Sequence, residues 1–448
     1  MTTENYAEHI ATLTARYSDA LEFVADQKLP IDATLVHSGT EQHYYGDDRG
    51  VPFQAYGHLL SWLPVNRPNQ FVLFQPGEKP IYFQVVPSDF WYEQDIHIDP
   101  AWEEQFTIVR LSNLDQLSTE LRRRAIGGLA YIGEDGGSAE MLGILPALVN
   151  PPSLLAFLDF ARGIKTEYEL DQLRSANRLA LLGHAAARTS FFSGGSEYDI
   201  HMAYLQAAQI LEDESPYTNI VALNEKAAIL HYQFKRKTLK EKGRVLLIDA
   251  GCRVRAYGSD ITRTSVSEDA HPVFKSLCAA VEQLELALVE EVVPGTAYQS
   301  LHASALNRLA AVLLEHDICT GSASELSELS IPQLFMPHGV GHLLGIQVHD
   351  VGGHQSDSSG TVLSPPPESP ALRNTRTMEP NMVFTVEPGL YFIPLLLEPE
   401  RDSKRGKKFN WKLIDELYPS GGIRIEDNIR VTDTSAENLT RQFEQATR

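Results

Sequence analysis

Only three cysteines occur in 448 residues, Cys252, Cys278 and Cys319, odd in number, scattered and without CxxC spacing. Such a set excludes a disulfide framework or a thiolate zinc site and suits a reducing cytoplasm, where the protein is expected. Positive charge is also short: 38 basic residues face 59 acidic ones, for a formal net charge of −21. Without a basic face, neither nucleic acid nor an anionic membrane is expected as a partner. No apolar run approaches the length of a membrane span. The opening "MTTENYAEHIATL" has no basic stretch ahead of an apolar one, so no signal peptide is expected.

What is present reads as a globular protein of two domains, since the chain is longer than one core usually organises. Ile10, Leu13, Tyr17, Leu21 and Val24 recur at helical spacing and predict an opening amphipathic helix. Four strand-length runs follow, "ATLVHSG", "QFVLFQP", "PIYFQVV" and, after another helix-like stretch, "GLAYIGED", each bounded by Gly, Pro or polar turns. This predicts an α/β domain over 1–160. "NPPSLL" breaks the pattern, and Thr166 with Glu169 makes a capping box that starts the second domain, 161–448. A helix capped by Ser196 comes next. From 218 onward the pattern is strands between polar turns, with one long helix near 296–316. The Ser-, Pro- and Gly-rich stretch 355–379 reads as a surface loop, and "RDSKRGKKFN" as a solvated basic insertion.

Four acids stand out by position. In "VLLIDAGCRVRAYGSDITRT", Asp249 and Asp260 lie symmetrically about Val254–Arg255, so a hairpin turning there sets them opposite one another. Two carboxylates so placed repel unless a proton or a cation lies between them. Ordinary turn aspartates are the competing reading, at about even odds. Glu387 ends the apolar strand of "MVFTVEPGLYF", where an unpartnered charge is costly to bury. In "GGIRIEDNIRV", Ile423 and Ile425 point one way and Arg424 and Glu426 the other; for either acid alone, a surface strand with an i, i+2 ion pair is the better reading. "HGVGHLLGIQVHD" adds His338, His342 and His349, interleaved with glycines that disfavour a helix and suit a loop bringing backbone close to a ligand. Oxygen-rich donors with one nitrogen suit Mn²⁺, Co²⁺ or Zn²⁺. Four negative charges fit two dications better than one, and such a pair makes a water nucleophilic at neutral pH.

"IDAG" with "SDITRT", "PHGVGHLLGIQVHD", "TVEPGLYF" and "GGIRIEDN", in that order, resemble the metallopeptidases of the pita-bread fold (family M24). "NIVALNEKAAILHYQ" and "SGTEQHYYGDDRGVPF" resemble its bacterial prolidase (Xaa-Pro dipeptidase) branch, which includes organophosphorus acid anhydrolase. The resemblance covers nearly the whole chain. It implies an α/β (α+β) fold: an N-terminal mixed α/β creatinase-like domain, then a pita-bread domain with a curved antiparallel sheet. It implies two divalent ions per subunit, Mn²⁺ with Co²⁺ or Zn²⁺ as alternatives, on Asp249, Asp260, His342, Glu387 and Glu426. Asp260 and Glu426 would bridge, and Glu387 would also move the proton of a bridging hydroxide that attacks the scissile carbonyl. His231, His338 and His349 would line the cleft, with His349 polarising the carbonyl. Arg424 would sit near the substrate carboxylate, and Tyr217 would border the pocket. In a homodimer, Asp48 and Trp91 of the partner subunit would close the site. The substrate so implied is an Xaa-Pro dipeptide, with organophosphate hydrolysis as a side activity. Aminopeptidase P activity on longer peptides is the close alternative. A non-catalytic binding protein, or a metal-free creatinase-like enzyme, would be expected to lose some of the five ligands, all present here.

Overall fold

The opening helix forms over Thr3–Asp26 and buries Ile10, Leu13, Tyr17, Leu21 and Val24, the residues whose spacing predicts it. It packs on the helix Pro152–Arg162, where Phe23 and Phe157 lie with ring centroids 5.4 Å apart. These elements belong to a computed structural model that describes residues 3–26, 30–134 and 136–444. The chain divides into two units, one of residues 1–162, 166–169 and 357–361, the other of 163–165, 170–356 and 362–448. No helix among the described residues is long and apolar enough to cross a membrane.

The first unit holds a mixed sheet of β1 (Ala33–His37), β2 (Gln70–Phe74), β3 (Ile81–Val85), β4 (Thr107–Leu111) and β5 (Leu129–Ile132), in the order β4-β3-β2-β1-β5. β1 through β3 are buried at every position, which is why they read as unbroken apolar runs. β4 is an edge strand, largely exposed, and its "TIVRL" carries too little apolar signal to stand out.

The second unit begins with helices Glu167–Phe192 and Glu197–Ala208. The first starts at the expected capping box, where the Thr166 N–H donates to Glu169 at 2.8 Å. Its strands are β6 (Ile220–Leu223), β7 (Val245–Asp249), β8 (Arg253–Val254), β9 (Tyr257–Gly258), β10 (Thr262–Val266), β11 (Val383–Val386), β12 (Gly389–Tyr391), β13 (Gly422–Arg424), β14 (Asp427–Val431) and β15 (Ala436–Asn438). All their pairings are antiparallel. A bridge between Thr262 and Glu426 joins the β10-β7-β6 sheet to the β11-β14-β15 sheet. The helix Pro272–Glu290 corrects the strand-rich reading of this region. Phe274, Leu277, Val281, Leu284 and Leu288 recur at helical spacing there and are buried. With the helix Tyr298–Glu315 they share one core with Phe384, Val386, Ile423, Ile425 and Ile429. Apolar side chains of the strands therefore face helices, and the alternate residues are left to build a polar interior.

Two further expectations are corrected. Stretch 355–379 is not simply a surface loop, since Leu372, Asn374, Thr375, Arg376 and Met378 are buried. The basic insertion is pinned by acids, with Arg401 on Glu398 and Asp415, Arg405 on Glu400 and Lys408 on Glu325. The 245–264 hairpin turns at Arg255–Ala256, both with positive φ (46° and 78°), and Val254 pairs with Tyr257. Two-residue turns of this kind favour Asn-Gly, and Arg-Ala carries no such signature. Relieving the left-handed cost at Ala256 with Ala256→Gly should stabilise the protein by about 0.5–1 kcal/mol, read as a higher urea midpoint at unchanged slope.

Candidate active site

Asp249 closes β7 and Asp260 precedes β10. The register sets Asp249 opposite Thr262, so the two aspartates are diagonal neighbours and not the direct pair expected from sequence symmetry. The shift is two residues, and because side chains alternate with a period of two, both acids stay on one face. Asn428 fixes Asp260 from behind: its side chain accepts from the Asp260 N–H at 3.1 Å and donates to the Asp260 carbonyl at 2.5 Å. The neighbouring Asp427 turns outward to Arg263 and Arg441, each at 2.7 Å. "EDN" thus carries three tasks in consecutive residues, with Glu426 the one that faces inward.

The histidine segment docks on β11. The His342 N–H donates to the Thr385 hydroxyl at 3.1 Å, the Thr385 N–H to the His342 carbonyl at 2.9 Å, and the Glu387 N–H to the Val340 carbonyl at 2.8 Å. Gly341 permits this approach, since a Cβ there would lie 2.1 Å from the Thr385 carbonyl oxygen. Gly345 makes room for Asp350 and Lys165, a buried ion pair at 3.0 Å that anchors the residue after His349. The glycines let one backbone segment approach another, and Gly339 and Gly341 also line the cavity described next. No helix spans His338–His349.

Asp260, His342 and Glu426 offer ligand atoms within 4.8 Å of one another, all buried. His342 Nε2 lies 3.4 Å from Asp260 and 3.7 Å from Glu387. Its Nδ1 donates to the Leu343 carbonyl at 3.0 Å, so Nε2 is the nitrogen that faces the acids; Asp260 and Glu387 hold a proton there in the metal-free site, and its loss frees the Nε2 lone pair for a cation. A cavity of about 260 Å³ is lined by Asp249, Asp260, His342, Glu387, Glu426 and Arg424, with His231, His338 and His349 on its other walls. The His349 ring stands edge-on to His342, centroids 4.3 Å apart. His338 has no free nitrogen: Nδ1 meets the Gly339 carbonyl at 2.8 Å and Nε2 the Tyr391 hydroxyl at 2.9 Å. Arg424 donates to Asp249 at 2.5 Å, to Thr262 at 3.1 Å and to Tyr391 at 3.0 Å. Tyr217 is half-buried and does not line this cavity. Asp48 and Trp91 lie in the first unit, both exposed. Arg373 and Tyr391 escaped the sequence reading: Arg373 lines the same cavity from within the presumed surface loop, and Tyr391 ties His338 to Arg424.

Electrostatics separate the acids. Burial pushes Glu387 up to about 7. Burial, then the charges of Asp260, Glu387 and Asp249, hold Glu426 well above the carboxylate range. Burial also raises Asp249, against the pull of Arg424. At Asp260 burial is outweighed by the hydrogen bond and charge of His342, and the carboxyl falls. Burial lowers His338 to about 3 and His349 to about 4, so both are neutral near pH 7. Asp249, Asp260 and Glu426, buried, and Glu387, half-buried, thus gather about the Arg424 guanidinium and the His342 imidazole. Asp249 Oδ1 and the Tyr217 hydroxyl are buried with no hydrogen-bond partner among the described residues. An orphaned carboxylate oxygen beside an oxygen-rich, single-nitrogen donor set fits hard or borderline divalent cations.

Residues 171–433 match metallopeptidase family M24, and residues 4–160 match the Xaa-Pro dipeptidase N-terminal domain. The chain is 40% identical over 440 residues to the Xaa-Pro dipeptidase of Shewanella putrefaciens, with 98% of each chain covered. It is 41% identical over 439 residues to that of Shewanella oneidensis, again at 98% of each. In fold it is similar to proline aminopeptidase P II from Yersinia pestis, with TM-score 0.73, 23% identity and coverage of 99% and 97%. It is likewise similar to zinc-substituted E. coli aminopeptidase P in complex with product, with TM-score 0.74, 21% identity and coverage of 100% and 99%.

Because burial raises Glu387 and Glu426, divalent ions must displace protons held there near neutral pH. Mn²⁺ binding is expected to release protons and to weaken as pH falls below about 7. Calorimetry in buffers of different ionisation enthalpy reads both effects. Gly341→Ala should cost about 3 kcal/mol, the upper end of overpacking, and lower metal affinity together with melting temperature.

Proposed function

The chain belongs to metallopeptidase family M24, and we propose that it is an Xaa-Pro dipeptidase that holds two divalent ions on Asp249, Asp260, His342, Glu387 and Glu426. The observation that carries this reading is the convergence of these buried donors on one cavity, with Asp249 Oδ1 left unpaired. Mn²⁺ is the first candidate, with Co²⁺ and Zn²⁺ as alternatives, because oxygen-rich sites accept all three. When bound, the ions acidify water to a nucleophile and polarise the scissile carbonyl.

This chain's own residues do the rest. Glu387, on the wall of the same cavity, takes a proton from the attacking water and returns it to the proline nitrogen as the bond breaks. That nitrogen belongs to a tertiary amide with no N–H, so it offers no hydrogen bond by which to hold it. His349, neutral and beside His342, donates an N–H to the carbonyl oxygen as negative charge develops there. His338 has both nitrogens occupied, so it acts as a fixed wall, tied through Tyr391 to Arg424. Arg424 spends three of its donors on the protein, and the substrate carboxylate meets the positive wall it forms with Arg373. Tyr217 stands near the acids, its hydroxyl kept protonated by burial and then by the charges of Asp249 and Asp260.

The working form we propose is a cytoplasmic homodimer whose first unit serves dimerisation. Asp48 and Trp91 of the partner subunit would close the site; Trp91, 77% exposed between Phe90 and Tyr92, supports a covered role. Asp48 would then meet the substrate ammonium and exclude longer chains. An organophosphate triester offers an electrophilic phosphorus to the same site, and its hydrolysis is a proposed side activity.

Turnover of an Xaa-Pro dipeptide should exceed that of the matching Xaa-Pro tripeptide by at least about a hundredfold in kcat/KM, near 3 kcal/mol of discrimination. Comparable rates would favour aminopeptidase P activity. Glu387→Gln should lower kcat by about a thousandfold or more at unchanged circular dichroism, and full activity would remove it as the proton carrier.

A further inference from the structure

We propose that Glu197, outside the catalytic cavity, is the positioning residue that sets the place of His231 at its wall. Glu197 is the first residue of the helix Glu197–Ala208, yet Ser196 and Asp199 already complete the capping box there. Its carboxylate is not needed for the cap and turns elsewhere. It is 1% exposed, and a lone buried charge would be costly. Four partners offset that cost, all within residues 223–236. Oε1 accepts from the Leu223 N–H at 3.4 Å and from Lys226 Nζ at 3.2 Å. Oε2 accepts from the Tyr232 hydroxyl at 2.8 Å and from the Arg236 N–H at 3.0 Å.

The pattern is a clamp. Leu223 and Lys226 stand at the start of the segment, Tyr232 and Arg236 at its end. Between them lie Leu230 and His231, which line the catalytic cavity. His231 is on a turn held locally by two backbone hydrogen bonds, Ile229 N–H to Lys226 and Tyr232 N–H to Ile229, at 2.9 and 3.1 Å. A short 3-10 helix, Asn224–Ala228, leads into this turn from β6, but Leu230 and His231 themselves lie in neither helix nor strand, and one carboxylate fastens the chain on both sides of them. Tyr232 extends the connection, packing in one cluster with Tyr391, the residue that orients His338 and Arg424.

The kinetic test rests on the peptidase reading; a second readout does not. Glu197→Gln preserves shape but presents N–H groups where two donors now point. It should speed amide hydrogen exchange in 224–236 about tenfold or more, with exchange in the helix Pro272–Glu290 unchanged. It should also lower kcat/KM for an Xaa-Pro dipeptide about tenfold, while metal content stays that of the wild type. In a His231→Asn background the same substitution should cost less than about twofold, since the group it positions is gone. A general structural role would instead give the same loss in both backgrounds, and that result, or unchanged exchange in 224–236, overturns the proposal. Should Glu197→Gln fail to fold, Tyr232→Phe removes one of the four contacts and should show both effects in milder form; its failure to do so likewise overturns the clamp. A wild type without dipeptidase activity would sink the functional reading, and the exchange measurement would still decide the clamp.

Discussion

Four buried carboxylates cannot share one small cavity as anions without a positive charge among them. Asp249, Asp260, Glu387 and Glu426 are brought to that position, where the Arg424 guanidinium pairs with Asp249 and the His342 imidazole with Asp260. The directions of their shifts follow: Glu426, Glu387 and Asp249 rise with burial, and Asp260 falls because the hydrogen bond and charge of His342 outweigh its burial. Metal-free, the site keeps protons. The natural replacement is divalent cations, and the orphaned oxygen of Asp249 marks a place where one belongs.

The rest of the second unit holds these repelling groups in place. Helices bury the apolar side of the strands, each large side chain contributing about 1.5–3 kcal/mol, and so force the alternate residues inward. Asn428 grips the Asp260 backbone, Thr262 donates to Glu426 at 2.6 Å, and the histidine segment is laced to β11 by backbone bonds that only Gly341 allows. The Lys165–Asp350 pair anchors the end of that segment next to His349. Strain among the acids is thereby carried by packing and hydrogen bonds outside the cavity.

Much of this was legible in the sequence. An acid at the end of an apolar strand, an alternating Ile-Arg-Ile-Glu and histidines threaded by glycines all conflict with a plain core, and each conflict falls at the cavity. The capping box at Thr166 and the cap at Ser196 were equally clear. Features without a local period were not. The hairpin register was lost because Arg255–Ala256 adopts left-handed backbone without the usual residues. β4 was missed because an edge strand needs little apolar content, and the helix Pro272–Glu290 because strand-like expectations overrode its spacing. Arg373 and the Lys165–Asp350 pair depend on contacts between distant segments, and Glu197 looks like an ordinary first-turn acid until its four partners are seen.

The most direct test of the central claim is to titrate Mn²⁺ into metal-stripped protein while following Xaa-Pro dipeptide hydrolysis and bound metal together. The account predicts no hydrolysis without metal and an activity that saturates at two ions per chain. Undiminished hydrolysis by the metal-free protein would contradict it.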